Sequence, residues 1–403
     1  MLADRWGDVY AASIARAVST CGDYLAATAL VIALQGEGAG GFAVAALLIA
    51  AAAPPTLLAP LTGRLADRVD SRYLLVTVSL GQAAVCTALA LVSSTAAMIA
   101  LVALLGCGLA VVNPTTNALI PEMVGRERLA RATAVGQTAS SIGMLIAPAL
   151  GGLLVGRFGL RVPLLVDAGT YLAITAAALA IRTRRGRTVA APAPATPGPP
   201  WSMWRDPLMR ALLIAVAAAV SAVSAANVAD VFFVRGTLHG SPTVYGLLGA
   251  VWTGAMTVGA WLVVRRKLGD GGFAVALIAA LAGACGAVAL ASTVSSVGSL
   301  VPLWALGGAF NGAVNVAAGV LLARRSPAEV RGRAFAVFGG VANGANAAGY
   351  LLGGLGLTAV SARVLLGLAG GVGLAVAVAF AVPLVKAAQP APERGPRVAW
   401  ARD

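Results

Sequence analysis

The chain has 403 residues, 59% of them hydrophobic and only 11% charged, with a mean hydropathy of +0.88. A sequence this poor in polar groups cannot cover itself in water, so the two or three soluble domains that its length would otherwise imply are excluded. Its net charge of +14 does not indicate nucleic acid, because the basic residues sit in short connections between apolar stretches.

Asp4, Arg5 and Asp8 precede the first apolar run without a cleavage-site pattern, so no signal peptide is expected. Twelve apolar segments follow, each long enough to cross a hydrocarbon core as a helix. In the first half they run roughly over 10–34, 39–61, 74–93, 96–118, 133–155 and 163–181. In the second half they run roughly over 209–234, 243–264, 272–291, 297–322, 334–357 and 361–384. Between the halves, four arginines and then five prolines up to Pro200 read as a solvated linker. The resulting organisation is a six-helix bundle over 1–181, a linker over 182–208, a second bundle over 209–385 and a tail over 386–403. With the N-terminus inside, 24 Lys and Arg fall in cytoplasmic connections and four in external ones. That asymmetry places both termini in the cytoplasm. There are 27 Arg and two Lys, which fits GC-rich bacterial codon usage.

The halves are related to each other. Offset by 202 residues, Leu105–Leu153 lies on Gly307–Leu355 without a gap, with 13 identities in 49 positions. Composition alone would give about five. Gly106/Gly308, Asn113/Asn315, Arg131/Arg333, Gly151/Gly353 and Gly152/Gly354 are among them. In so hydrophobic a chain, a duplicated half is the mark of a transporter built from two bundles.

Ionisable groups inside membrane segments are costly, so each is a functional candidate. Arg16 and Asp23 share a face of the first segment, Asp167 lies near the outer end of the sixth, and Asp230 in the outer half of the seventh. Segments 1 and 7 are equivalent in the two halves, so Asp23 and Asp230 are expected to face one cavity from opposite sides. A carboxyl group there can take up and release a proton as access alternates. The competing reading pairs Asp23 with Arg16 and Asp230 with Arg235 structurally. Gln137 and Asn227 are further candidates to line the cavity, and Asn113, Asn117, Asn311, Asn315, Asn343 and Asn346 fit interhelical hydrogen bonding. Four cysteines inside apolar segments and a single histidine, His239, show no metal or redox spacing. No metal and no cofactor is expected, and no nucleophile–base set points to an enzyme.

Two motifs carry a resemblance. After the second segment the chain reads Gly63-Arg64-Leu65-Ala66-Asp67-Arg68-Val69-Asp70-Ser71-Arg72. Here Gly63 would end a helix and admit a close neighbour, Asp67 would face the positive end of another helix, and Arg68 and Arg72 would clamp carboxylates or carbonyls. The fifth segment carries Gly143, Ala147, Pro148, Gly151 and Gly152, a small-residue stripe with a proline bend. The first resembles the cytoplasmic signature of the major facilitator superfamily, departing from it at Asp70 and Ser71. The second resembles that superfamily's exporter motif, with Ala147 in place of a glycine. Ser19–Asp23, Pro121–Ala132 and Asp230–Leu248 are similar to its macrolide and siderophore exporter branch.

The resemblance implies an all-α membrane protein of twelve helices in two pseudo-symmetric bundles, with Asp67 near Arg333 and Ala334 at the start of helix 11. It implies a monomeric transporter of the bacterial inner membrane, its partners being a small amphiphilic substrate, protons and the lipid bilayer. Proton-driven export is the expected direction. Import or lipid flipping on the same fold, and a non-transporting receptor or assembly protein, remain as alternatives.

Overall fold

The computed structural model describes residues 5–183, 202–327 and 330–388, excepting the side chains at 67, 125–127 and 130. Among the described residues every regular element is helical. In hydrocarbon each backbone N–H and C=O must find its partner within the segment, which a helix alone achieves for a single span.

The first half contains α1 (Trp6–Gly36), α2 (Gly41–Leu57), α3 (Ala59–Arg68), α4 (Ser71–Leu89), α5 (Thr95–Phe158) and α6 (Arg161–Ala180). The second contains α7 (Pro207–Val231), α8 (Pro242–Val264), α9 (Asp270–Ala291), α10 (Val297–Arg325), α11 (Arg331–Ala359) and α12 (Ala362–Ala388). α7 continues into a π-helical turn, Phe232–Thr237. α2 and α3 meet at a bend of 53° and together are long and apolar enough for one span. Pro54 and Pro55 in α2 and Pro60 at the start of α3 remove the backbone donors that would keep it straight. α5 supplies two spans, Thr95–Val124 and Arg131–Phe158. Ten helical stretches are long and apolar enough to cross a membrane, and the bent pair makes eleven. α11 completes twelve by position; Asn343, Asn346 and its glycines lower its hydropathy. The protein is a multi-pass membrane protein.

Several boundaries differ from expectation. Helix runs through 119–132, where a loop was expected, because Glu, Arg, Leu and Ala there are strong helix formers. Helix also passes through Gly63 and ends at Arg68, where Asp70 caps α4 by accepting from the Arg72 and Tyr73 N–H groups at 2.9 and 3.1 Å. The end of the expected linker is not solvated. Met203 and Leu208 are buried in the core of the second half, and Asp206 caps α7. The remainder of the linker, 184–201, and the tail from 389 lie outside the described residues.

Within the first half α1 packs on α5 and α6, and α4 on α5 and α6; within the second, α7 packs on α11 and α12, and α9 on α10 and α12. The halves meet along α5–α8 and α2–α11. The repeated glycines explain both sets of contacts. A side chain at Gly151 would meet the Leu25 carbonyl of α1, and one at Gly353 the Ala225 carbonyl of α7. Their neighbours point across to the other half: Gly152 against Pro242 and Gly246 of α8, and Gly354 against Gly41 and Ala45 of α2. Gly106 and Gly308 likewise sit on the carbonyls of Ala51 and Trp252. Each duplicated pair thus repeats one approach, within its own half at Gly106/Gly308 and Gly151/Gly353 and across to the other half at Gly152/Gly354.

Candidate functional site

The approaches between the halves concentrate at the end of the molecule that carries the α1–α2 and α7–α8 connections. There Arg235, on the π-helical turn, donates from Nη1 to the Ile32 carbonyl at 2.8 Å and to Gln35 Oε1 at 2.6 Å, both in α1. Deeper in, Asn343 of α11 donates to Thr56 of α2 at 3.1 Å. Toward the end that carries the chain termini, side chains at Gly332, Gly339, Gly340 and Gly344 of α11 would meet nothing within 4 Å. The halves are joined at the end that carries the α1–α2 and α7–α8 connections.

Below the joined end lies a cavity of about 240 Å³. α1 contributes Thr28 and α5 contributes Pro148, while α7, α8 and α10 supply Asn227, Asp230, Tyr245, Trp252 and Trp304. The rings of Trp252 and Trp304 meet edge to face, with centroids 6.1 Å apart. Gly307 leaves the space into which the Trp252 ring packs. Asp230 Oδ1 is buried and has no hydrogen-bond partner. Asn227 also borders a second cavity of about 290 Å³ inside the second half, with Ser224, Asn311, Asn315 and Asn346.

Asp23 lies elsewhere. It borders a smaller cavity of about 40 Å³ within the first half, beside Arg16, Asn113 and Thr116. The expectation that Asp23 and Asp230 face one cavity is therefore corrected: α1 turns Asp23 inward toward α6, and only α7 presents its carboxylate to the space between the halves. Tyr171 donates its hydroxyl to Asp23 Oδ1 at 2.5 Å. One helical turn before Tyr171, Asp167 is 1% exposed and accepts from Thr170 at 3.0 Å and from the Cys86 thiol at 3.2 Å. Gly22 makes room for it, since a side chain there would collide with the Asp167 carboxylate.

Neither structural ion pair weighed from the sequence forms among the described residues. Arg16 donates to Asn117 at 3.0 Å, and Arg235 is held by α1. Gln137 is exposed and borders a small pocket with Arg16 and Asn117, apart from the cavity between the halves. Tyr171, Tyr245, Trp252, Trp304 and Gln35 were not singled out from the sequence. Polar tips on mostly apolar helices carry no periodic signal; only the pairing of a tyrosine with a membrane-embedded aspartate could have pointed to Tyr171.

The signature after α2 is placed in part. Arg72 Nη2 donates to the Ile181 carbonyl at the end of α6, at 2.5 Å, so it clamps a carbonyl as its chemistry requires. Arg68 is exposed. A side chain at Gly63 would meet nothing, so no helix approaches it closely here. The side chain of Asp67 lies outside the described residues. Ala334 packs into the core of the second half. Along the α5 stripe Gly143 sits on the Ala17 carbonyl, Ala147 is fully buried, and the Pro148 carbonyl faces Gly246.

The family profile of the Major Facilitator Superfamily matches residues 12–302 and 236–402. The chain belongs to the Major Facilitator Superfamily. It is a transporter rather than an enzyme. Its similarity to solved structures of that superfamily shows the shared fold at low identity. The nucleoside transporter NupG aligns with a TM-score of 0.73 at 13% identity, over 93% of this chain and 98% of that one. A POT family transporter, in complex with a thioalcohol conjugated peptide, aligns with a TM-score of 0.74 at 12% identity, over 94% of this chain and 96% of that one. Among curated relatives, the multidrug resistance protein MdtG of Serratia proteamaculans (strain 568) is 34% identical over 116 residues, 29% of this chain and 28% of its own. The uncharacterized MFS-type transporter YfiS of Bacillus subtilis (strain 168) is 25% identical over 155 residues, 38% of this chain and 37% of its own. The matches thus span about a third of the length of these curated relatives.

Proposed function

We propose that this superfamily member is a secondary active exporter of the bacterial cytoplasmic membrane. It carries a small amphiphilic molecule, such as an antibiotic, a siderophore or another natural product, outward in exchange for protons. The observation that carries the reading is Asp230, a carboxylate whose buried oxygen has no protein partner, on the wall of a cavity that both halves build. Such a group is costly in a membrane unless a proton or a ligand completes it. Exchanging one for the other at a single group links two fluxes. Asp23, Tyr171 and Asp167 supply a second protonatable cluster, enclosed in the first half.

The distribution of basic residues puts the terminal end in the cytoplasm. The joined end then faces outward. Residues 1–181 and 209–385 rock as two bundles about the cavity, with the linker and tail cytoplasmic and a monomer as the working unit. The packed small-residue stripe of α5, and relatives named for multidrug resistance, favour export over import.

The test uses ethidium as a fluorescent amphiphile in proteoliposomes under an imposed pH gradient. Asp230→Asn keeps the shape of the side chain but fixes its charge. It should still exchange ethidium across the membrane and should lose gradient-driven accumulation; Asp23→Asn should show the same loss where the second cluster shares the proton. Undiminished accumulation in both variants would remove the carboxylates from coupling, and flux in the import direction alone would end the exporter reading.

A further inference from the structure

Apart from the cavities, the second half carries a groove of about 500 Å³ between α7 and α11. Trp204 stands at its mouth, Leu213, Ile214 and Ala217 form one wall and Val341 and Gly344 the other, and no charged side chain lines it. On α7 this face lies roughly a third of a turn from the one that presents Val223, Asn227 and Asp230 to the cavity between the halves. The groove therefore opens away from that cavity, onto the membrane. Gly344 gives it depth, since a side chain there would meet nothing within 4 Å. Ser221 closes its inner end by donating from Oγ to the Ala345 carbonyl at 2.9 Å.

The opposite end of the groove is basic. Arg210 is exposed and lies on the same face of α7, one turn before Ile214. Trp204 is 53% exposed, and Arg205 beside it is exposed too. Arg331 and Arg333 begin α11 at this end. The acidic residue of the stretch, Asp206, is committed to capping α7, accepting from the Leu208 and Met209 N–H groups at 2.8 and 3.2 Å. From Arg210 to Ser221 the helix rises about 16 Å, against about 15 Å for half of a hydrocarbon core. The groove thus spans one leaflet, with cations at the level of the headgroups and an indole at the interface, where such rings concentrate.

We propose that this groove seats one acyl chain of an anionic phospholipid, whose phosphate meets Arg210. The proposal is independent of what the cavity between the halves carries and in which direction. The volume fits: about 150 Å³ holds a six-carbon ring, so a groove of this size takes a chain of roughly 16 to 20 carbons. An anionic headgroup brings a net negative charge to the arginines at the membrane surface. A zwitterionic lipid brings a cation to the same place and gains less, while an uncharged amphiphile leaves Arg210 to water. Arg210 selects the headgroup, and the space over Gly344 holds the chain.

The test uses the full-length protein in phosphatidylcholine bilayers, with the four native cysteines replaced and a bimane label at Ile214→Cys. Dibrominated acyl chains quench the label on contact and are supplied on phosphatidylglycerol or on phosphatidylcholine. A label at Val378→Cys, on α12 and 66% exposed, reports ordinary lipid contact. At Ile214→Cys the brominated phosphatidylglycerol should compete at least about 5-fold more effectively than the phosphatidylcholine, the effect of about one arginine near the surface. At Val378→Cys the two should agree to within about 2-fold, and Arg210→Gln should bring Ile214→Cys to the same level. Gly344→Leu fills the open space and should lower quenching by both lipids at Ile214→Cys while leaving Val378→Cys unchanged. If Arg210→Gln fails to fold, 1 M salt, which shortens the Debye length to about 3 Å, should remove the preference in the parent. Equal quenching by the two lipids at Ile214→Cys, an equal preference at Val378→Cys, or a preference that survives both Arg210→Gln and high salt would overturn the proposal. Relief of the quenching by ethidium would overturn it too, by assigning the groove to the transported molecule.

Discussion

Arg235 ties the two halves together at their joined end, and removing its charge should shift the balance between the two access states. The guanidinium makes two hydrogen bonds across the halves, at 2.8 and 2.6 Å, to Ile32 O and Gln35 Oε1. A hydrogen bond to a charged group contributes about 1.5–3 kcal/mol net, so the pair has a ceiling of about 3–6 kcal/mol. Both side chains are only half-buried. Water therefore replaces much of the interaction when the end opens, and about 2 kcal/mol remains as the preference for the closed end. That is about a 30-fold change in the ratio of the two states. The measurement is a pulsed electron-spin distance between labels at Ser93→Cys and Ser295→Cys. These two exposed positions lie in the α4–α5 and α9–α10 connections, with the four native cysteines replaced. The unsubstituted protein should give mainly the short distance, and Arg235→Met should add a long component that becomes dominant. Gln35→Ala should shift the balance by roughly half as much in free energy, and the double variant by little more than Arg235→Met alone, since the two residues share one interaction. A folded Arg235→Met protein whose distance distribution matches the parent would show that the latch contributes nothing to the choice of state.

Three further outcomes follow from packing and charge. Gly152→Leu should abolish transport in vesicles or prevent folding, because a side chain there would run into the Pro242 carbonyl and the Gly246 backbone of the other half; wild-type flux would mean that α5 and α8 need not approach each other. Asp67→Asn should insert normally and lose most of its ethidium flux, because the resemblance of the stretch after α2 to the superfamily signature implies a gating role for a negative charge at that position; full flux at normal expression would sink the assignment. Tyr171→Phe removes the hydroxyl that donates to Asp23 and little else, so it should retain ethidium exchange while reducing gradient-driven accumulation; equal losses in both assays would make Tyr171 a packing residue only.

Much of the fold could be read from the sequence because a membrane-spanning helix announces itself by length and apolarity, and both are local properties. The repeat could be read for a related reason: Gly151/Gly353 and Gly152/Gly354 recur because each pair must pack against backbone, a requirement that tolerates no side chain. What escaped was any feature that depends on direction around a helix. Asp23 and Asp230 occupy equivalent helices, yet one faces α6 and the other the space between the halves, and nothing in the spacing of apolar residues distinguishes them. Gly63 failed for the opposite reason. Its glycine was read as a helix end, while the chain has Asp70, an ordinary N-cap seven residues later, to begin the next helix. The departure from the superfamily signature at Asp70 is thus a capping signal legible in the sequence.

On the proposed exchange mechanism, the duplication itself bears on how two fluxes are coupled. Both halves keep the same backbone approaches, Gly106 with α2 and Gly308 with α8, Gly151 with α1 and Gly353 with α7, so each packs by the same rules. Their polar content differs. In the first half the carboxylates are enclosed: Tyr171 occupies Asp23, and Thr170 and Cys86 occupy Asp167. In the second half Asp230 lines the cavity with one buried oxygen left unpartnered, in a wall that also holds indole and phenol rings. A scaffold repeated twice can move as two similar bodies, whereas identical chemistry in both would let a ligand be completed equally by either. Among the described residues the unpartnered carboxylate oxygen is on one side only, so the free energy of filling the cavity is concentrated at α7. The same element carries Arg235 five residues further on, so an event at Asp230 lies within one and a half turns of the contact that holds the halves together. That proximity, more than the number of buried carboxylates, is the physical basis for expecting ligand binding and closure to be linked in this chain.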